Sequence, residues 1–391
     1  MIDYSLIEFM NERVKATPTD FRRYLYHEIN WDAHMIGITG PRGIGKSTLV
    51  LQHLISNPES DKILYVTADH MYFSTHSLVE LASDFIKAGG KRLCIDEVHK
   101  YSGWSRELKQ IYDGYPSLQI IFTGSSVLDI NKGEADLSRR ALMYHMQGLS
   151  FREYLKLFHN IDSGVYTLNQ IIAGEVKIPK LEHPLPLFKE YLKEGYYPFA
   201  LEGDFARRIM QVVSLTVEGD IPMYADMKAV TARKIKRMLG IIAESAPYKP
   251  SIENLAVEIG VSKNNIPDYL IWLEKAGMIA QLIDDTKGMR SLGKVEKVFI
   301  DNPTLQSALG RENANIGNLR ETFFYNQMRV RQEVVASKIS DFRIGDLTFE
   351  IGGKSKGQRQ IQGTEKGYVI KDDIEYPYGN IIPLYHFGFN Y

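Results

Sequence analysis

The residues at positions 40–48 have types and a spacing suited to phosphate chemistry. They read Gly-Pro-Arg-Gly-Ile-Gly-Lys-Ser-Thr and fit the pattern G-x-x-x-x-G-K-[ST]. Glycines let a backbone wrap closely around phosphates with its amides pointing inward. Lys46 can reach the β- and γ-phosphates of a nucleotide, and the Ser47 hydroxyl can ligate Mg²⁺. The predicted nucleotide contacts are Gly40, Pro41, Arg42, Gly43, Ile44, Gly45, Lys46, Ser47 and Thr48.

An acidic pair, Asp96 and Glu97, ends an apolar run over residues 92–95. A carboxylate at the end of a buried strand can hold the Mg²⁺ shell, and we assign this role to Asp96 together with Ser47. The next carboxylate, Glu97, can orient or deprotonate an attacking water. The pair therefore predicts hydrolysis of the bound nucleotide.

Two further groups of polar residues are candidates for the same site. Residues 118–122 form another apolar run, after which Thr123 or Ser125 could hydrogen-bond the γ-phosphate or the water. Arg139 and Arg140 precede a further predicted strand. Either arginine could reach a neighbouring subunit's phosphate as an arginine finger, or could be an ordinary surface residue.

The elements around these residues alternate between short apolar strands and helices. Residues 35–39 predict a buried strand directly before the loop, and residues 47–55 predict a helix directly after it. Strands are also expected at 63–67, 92–96 and 118–123, with helices between them. This alternation predicts an α/β fold with a parallel sheet covered on both faces.

Composition sets the broad class of the protein. The chain has 391 residues, of which 44% are apolar and 24% charged, values ordinary for a globular protein. Its net charge of −1 gives no overall basic character, although a local basic face stays open. The single cysteine, Cys94, excludes an intramolecular disulfide and a cysteine-rich zinc site. We see no signal-peptide pattern and no apolar run approaching about 18 residues, so we expect a cytoplasmic protein without a membrane contact.

The middle of the chain changes character. Residues 155–230 are mostly helical in pattern and rich in Tyr, Leu and Phe, which suggests a helical lid. Residues 233–285 predict a helix, then a helix, glycine turn and second helix, then the start of a wing, as in a winged helix. Lys263 could face DNA from the second helix, but Asp268 lies on the same helix, and winged helices also serve as spacers.

The last segment, from about residue 292, reads as a second α/β domain. An acid on a helix, Glu321, is followed by Asp346, Glu350 and Lys354 on or near predicted strands. That layout is similar to a PD-(D/E)XK nuclease, whose carboxylates hold Mg²⁺. The usual spacing is carboxylate-x-lysine, whereas three residues separate Glu350 from Lys354 here. A retained fold that has lost its activity is therefore the favoured interpretation, with an active nuclease as the alternative.

Nearly the whole chain resembles prokaryotic AAA+-type P-loop ATPases joined to a C-terminal domain of unknown function. The matching features are residues 40–48, 95–97, 122–126, 149–154 and 195–198 and the helix that carries Glu321. The resemblance implies an AAA+-type sheet, a helical lid, a winged helix and a restriction-endonuclease-like fold. It also implies that the base is adenine. In agreement, no Asn-Lys-x-Asp motif, which would bind guanine, is suitably placed. The expected domains are 1–154 (ATPase core), 155–230 (lid), 231–291 (winged helix) and 292–391 (nuclease-like).

These expectations converge on Mg²⁺-dependent binding and hydrolysis of ATP that drives a conformational switch of the C-terminal domains. Two alternatives stay open. In one, the chain is a DNA-associated ATPase with a nuclease-like C-terminal domain. In the other, ATP regulates a protein-interaction surface built on a catalytically dead nuclease fold. A homo-oligomer is possible in each.

Overall fold

The computed structural model describes the chain in two compact units, residues 1–147 and 148–391. It describes residues 2–57, 59, 62–125, 137, 139–225, 227–245, 247, 249, 251–284, 294–310 and 316–391. Ser126 and residues 285–291, the last part of the expected winged-helix domain, therefore lie outside the described residues.

The first unit contains a parallel sheet. Its described strands are β1 (Met35–Thr39), β2 (Ile63–Thr67), β3 (Arg92–Asp96), β4 (Gln119–Thr123) and β5 (Leu142–His145). They lie in the order β2-β3-β4-β1-β5, and all four pairings are parallel. The central strands are buried along nearly their whole length, as their apolar sequences require. The α/β parallel sheet expected from the sequence is confirmed.

Helices connect these strands. They are α1 (Tyr4–Lys15), α2 (Lys46–Ile55), α3 (Leu78–Lys87) and α4 (Trp104–Gly114). Helix α3 begins with a capping box, in which the Ser77 hydroxyl accepts from the Glu80 amide and the Glu80 carboxylate accepts from the Ser77 amide. Helix α2 begins directly after the phosphate-binding loop, so its N-terminus faces the loop.

The second unit begins with helices. They are α5 (Phe151–His159), α6 (Leu168–Ile172), α7 (Leu185–Glu190), α8 (Phe205–Ser214) and α9 (Ile221–Ala225). Helix α7 continues as a π-helical turn over Tyr191–Gly195, and α8 continues as another over Leu215–Asp220.

A three-helix array and a strand pair follow. Helices α10 (Ala229–Ser245), α11 (Ile252–Ile259) and α12 (Ile266–Lys275) contact one another. A left-handed Gly260 ends α11. Strands β6 (Ile279–Ile283) and β7 (Val295–Ile300) then pair antiparallel.

The second unit also contains a mixed sheet, whose strands follow two helices in the chain. The helices are α13 (Pro303–Gly310) and α14 (Ile316–Met328), and the strands are β8 (Val334–Ala336), β9 (Phe342–Ile344), β10 (Leu347–Gly352), β11 (Gly367–Lys371) and β12 (Ile381–Pro383). The strands lie in sequence order. The first three form an antiparallel meander, and β11 and β12 add in parallel.

One hydrophobic cluster runs through the second unit. It includes Phe151 of α5, Phe188 of α7, Leu282 of β6, Phe323 of α14 and Phe387 near the C-terminal end. The segments expected as lid, winged helix and nuclease-like domain thus contribute to a shared core. Among the described helices, none has both the length and the apolar character that crossing a membrane requires.

Candidate functional site

The phosphate-binding loop is held in shape by its glycines and by its lysine. Gly40 and Gly45 have φ of 151° and 96°, in the region that favours glycine. A Cβ at Gly40 would collide with the carbonyl oxygen of Met146, so only glycine fits there. The Lys46 ammonium donates to the carbonyls of Gly40 and Pro41 at 2.8 and 2.7 Å, which curls the loop around it.

Asp96 lies at the carboxyl end of β3 between hydroxyls from both neighbouring strands. The Thr123 hydroxyl of β4 donates to Asp96 Oδ1, and the Tyr65 hydroxyl of β2 donates to Oδ2 at 2.7 Å. The Ser47 side chain lies beside the Tyr65 hydroxyl. Both predicted magnesium ligands are therefore next to one phenol oxygen.

Glu97 has a strained backbone and a charged neighbour in the loop. Its φ of 49° and ψ of 42° are left-handed, a conformation that is costly outside glycine and clusters at functional sites. Its carboxylate Oε1 lies 3.6 Å from the Arg42 guanidinium. Burial raises the pKa of Glu97, while the charges of Arg42 and Lys46 oppose that rise. The structure thus brings Glu97 to the phosphate-binding loop.

Thr123 and Ser125 both contact residues at or just after the end of β3. Besides its bond to Asp96, the Thr123 hydroxyl accepts from the Glu97 amide at 3.1 Å. Thr123 therefore fixes both acidic residues. The Ser125 amide donates to His99 Nδ1 at 3.4 Å, which links the end of β4 to the segment after β3.

The two candidate finger arginines differ in their surroundings. Arg140 forms a bidentate pair with Asp113 of α4, at 2.9 and 3.0 Å. Arg139 is exposed. Arg140 would have to leave its carboxylate partner before it could contact a phosphate.

Sequence reasoning missed three residues that support the site: Tyr65, Arg23 and His99. The Arg23 guanidinium is buried and donates to the carbonyls of Ile44 and Gln147 at 2.5 and 2.7 Å. In the sequence, Tyr65 has the pattern of a core residue in an apolar strand, and Arg23 is one of two adjacent arginines. For His99, the one available indication was its position closely after the acidic pair.

The predicted nuclease residues fall into two groups. Asp346 lies between β9 and β10, largely exposed, and pairs with Lys366. Lys354 is also exposed. Asp346 and Lys354 therefore do not join Glu321 and Glu350 in the cluster that a PD-(D/E)XK site requires. Instead, the chain between Gly352 and Lys356 folds back, and it is Lys356 that pairs with Glu350.

A different acid joins Glu321. Lys297 of β7 pairs with Glu321 at 2.8 Å and with Asp341 at 3.4 Å. Burial, followed by the Asp341 charge, raises the pKa of Glu321. The carboxylates are thus matched by lysines. Across the described residues, no group of three or more His, Cys, Asp or Glu side chains is placed to hold a metal ion.

The donors near the phosphate-binding loop fit magnesium, because this ion usually keeps several waters and takes only one or two protein carboxylates beside the phosphates. One hydroxyl, that of Ser47, and one carboxylate, that of Asp96, both lie beside the Tyr65 hydroxyl. The loop amides and the α2 N-terminus supply the positive potential that phosphates require.

Two family models match the chain. Residues 32–155 match an AAA domain, and residues 185–316 match a domain of unknown function (DUF8612). The first unit carries an AAA-type P-loop domain. That assignment agrees with the parallel sheet and with the strand–loop–helix arrangement around residues 40–48.

A relative and three solved structures are similar to the chain. An uncharacterized protein of Methanocaldococcus jannaschii is 26% identical over 91% of this chain and 84% of its own length. AMPPCP-bound DnaA from Aquifex aeolicus is 14% identical over 70% of this chain and 90% of its own, with a TM-score of 0.25.

The S. cerevisiae Hsp104-ADP complex is 14% identical over 71% of this chain and 38% of its own, with a TM-score of 0.30. C. elegans PCH-2 is 17% identical over 70% of this chain and 65% of its own, with a TM-score of 0.26. TM-scores this low add nothing to the assignment made from the family model.

Proposed function

We propose that this protein binds ATP with Mg²⁺ and hydrolyses it. The observation that carries the proposal is the meeting of the loop with the acidic pair: Arg42 lies 3.6 Å from Glu97, and Ser47 lies beside the Tyr65 hydroxyl that donates to Asp96. A glycine-rich loop without those carboxylates would only bind phosphate.

Each residue has a distinct part in the reaction. The loop amides and Lys46 stabilise charge on the transferring phosphoryl group, which is electrostatic catalysis. Ser47 and Asp96 would hold Mg²⁺, which neutralises phosphate charge when bound. Glu97 positions the attacking water and accepts its proton. Thr123 supports this arrangement through its bonds to Asp96 and to the Glu97 amide.

Turnover moves the second unit relative to the sheet, and Arg139 completes the site of a neighbouring subunit. The exposure of Arg139 and the carboxylate partner of Arg140 support this choice. An arginine supplied in trans is worth about 10³–10⁵ in rate in other phosphoryl-transfer enzymes. Specific activity should therefore rise with protein concentration, and Arg139→Ala should remove that rise while Arg140→Ala keeps it.

The loop is tested with Lys46→Ala, which should abolish nucleotide binding. Lys91→Ala is the matched control, because Lys91 is an exposed lysine of the same unit that pairs with Glu59. Binding of a fluorescent ATP analogue and release of phosphate are measured for both variants. Normal turnover by Lys46→Ala would refute the proposed ATP site.

A second function is proposed for the C-terminal part: a protein-interaction surface, regulated by ATP, on a nuclease-like fold without nuclease activity. The pairing of Glu321 and Glu350 with Lys297 and Lys356 supports it, because carboxylates neutralised by lysines are poor ligands for a catalytic metal. We expect no cleavage of duplex DNA in Mg²⁺ or Mn²⁺. Cleavage that Glu350→Ala abolishes would instead establish an active nuclease.

DNA association through residues 231–291 is the competing candidate. Lys263 and the asparagines after it begin a 3-10 turn that is exposed ahead of α12. Salt-dependent binding to duplex DNA at low ionic strength, weakened by Lys263→Ala, would favour this candidate. A lack of binding at low salt would leave the protein-interaction function as the better proposal.

A further inference from the structure

We propose that Tyr65 is a positioning residue for magnesium: its hydroxyl orients the Asp96 carboxylate beside Ser47, so that the nucleotide's metal can be bound by both. This inference rests on the proposed ATPase function and adds to it a residue on β2, outside the phosphate-binding loop and outside the acidic pair.

The hydroxyl contacts both predicted ligands. Tyr65 Oη donates its proton to Asp96 Oδ2 at 2.7 Å in a buried position. The Ser47 side chain lies beside the same oxygen. One hydroxyl therefore orients Asp96 and borders Ser47.

Asp96 is oriented from two sides. The Thr123 hydroxyl donates a hydrogen bond to Oδ1, and the Tyr65 hydroxyl donates one to Oδ2. Each donor occupies one lone pair of its oxygen, and each carboxylate oxygen has another available. The carboxylate plane is therefore fixed before a metal and its waters arrive, which lowers the reorganisation needed for binding.

The aromatic ring of Tyr65 is held by packing that does not need the hydroxyl. Tyr65 is 1% exposed, and its ring stacks on Phe9 of α1 at a centroid separation of 6.3 Å. Phenylalanine would keep this packing. Tyr65→Phe therefore removes the bond to Asp96 and the hydroxyl beside Ser47, while retaining the ring that stabilises the fold.

The test measures how nucleotide affinity depends on Mg²⁺. A fluorescent ATP analogue is titrated into wild type and Tyr65→Phe, first in EDTA and then over a Mg²⁺ series. We expect the Mg²⁺ concentration for half-maximal gain in affinity to rise about tenfold in Tyr65→Phe, the effect of losing a hydrogen bond to a charged group. Affinity in EDTA should stay at the wild-type value, because the loop is unchanged.

Tyr101→Phe is the matched control. The Tyr101 hydroxyl donates to Glu107 at 2.9 Å, so this variant also loses a tyrosine–carboxylate bond in the same unit. Its Mg²⁺ dependence should match wild type. An unchanged Mg²⁺ dependence in Tyr65→Phe would overturn the inference while leaving the ATP site intact. Wild-type protein that binds no nucleotide would overturn both, and equal loss of affinity in EDTA and in Mg²⁺ would assign Tyr65 a purely structural role.

Discussion

Arg42 of the phosphate-binding loop and Glu97 after β3 form an ion pair, with the guanidinium Nη1 3.6 Å from the carboxylate Oε1. Their side chains are 17% and 33% exposed, so water screens the pair less than it screens a surface ion pair. Arg42 opposes the rise in the pKa of Glu97 that burial causes. The loop thus helps to keep the proposed base charged and oriented.

The first prediction concerns this pair. Glu97→Gln should bind ATP but hydrolyse it at least about a hundredfold more slowly, because general-base catalysis contributes at least that much. Arg42→Gln should slow turnover by about tenfold, roughly the value of one charge-assisted contact. If Arg42 acts through Glu97, the double variant should turn over no more slowly than Glu97→Gln alone. Additive losses in kcat would show that Arg42 acts independently.

The second prediction concerns Arg23. Arg23→Met leaves the Ile44 and Gln147 carbonyls without their buried donor, so nucleotide affinity should fall and the free energy of unfolding should drop by about 2 kcal/mol. Arg22→Met is the matched control, because Arg22 is exposed and contacts Ser56 and the Tyr26 ring. Urea unfolding and nucleotide titration compare the two. Equal effects at both positions would contradict a bracing role for Arg23.

The third prediction concerns acid sensitivity. Burial, with the nearby Arg92 charge, lowers the pKa of His53 to about 4 from its ordinary 6.5. The unfolded chain therefore takes up a proton at His53 before the folded protein does. The stability that neutral His53 contributes is present above pH 6.5 and is lost as the pH falls toward 4.

His53→Gln should reduce the slope of the free energy of unfolding against pH between pH 6.5 and 4. The Trp31 ring stacks on the His53 ring with their centroids 3.9 Å apart, and tryptophan fluorescence follows urea unfolding of the protein at each pH. His27→Gln serves as the control, because His27 is exposed. A wild-type slope between pH 6.5 and 4 in His53→Gln would disprove the assignment.

The fourth prediction concerns the carboxylate cluster of the second unit. Lys297→Met leaves Glu321 and Asp341 facing each other without their shared cation. We expect the free energy of unfolding to fall by roughly 2 kcal/mol, less than for a fully buried pair because these side chains are about one-fifth exposed. Adding Glu321→Gln should restore part of the loss. Chemical denaturation measures both changes, and an unaffected single variant would show that the cluster is not stabilising.

Local patterns in the sequence were enough to predict the parallel sheet and the approach of the loop to the acidic pair. Apolar runs of five residues between helices leave little choice but buried parallel strands, and the carboxyl ends of such strands meet at one edge. Residues 40–48 and the pair Asp96–Glu97 are therefore readable without coordinates.

Tertiary structure decided what each of these residues contacts. Tyr65 and Arg23 look like ordinary core and helix-flanking residues, and only the β2–β3 pairing and the fold of the segment before β1 bring them to the loop. At the C-terminal end, spacing favoured Lys354, whereas the chain after Gly352 turns back and presents Lys356 to Glu350. A sequence pattern fixes spacing along one element, but the partner of a side chain depends on residues far away in the chain that packing brings beside it.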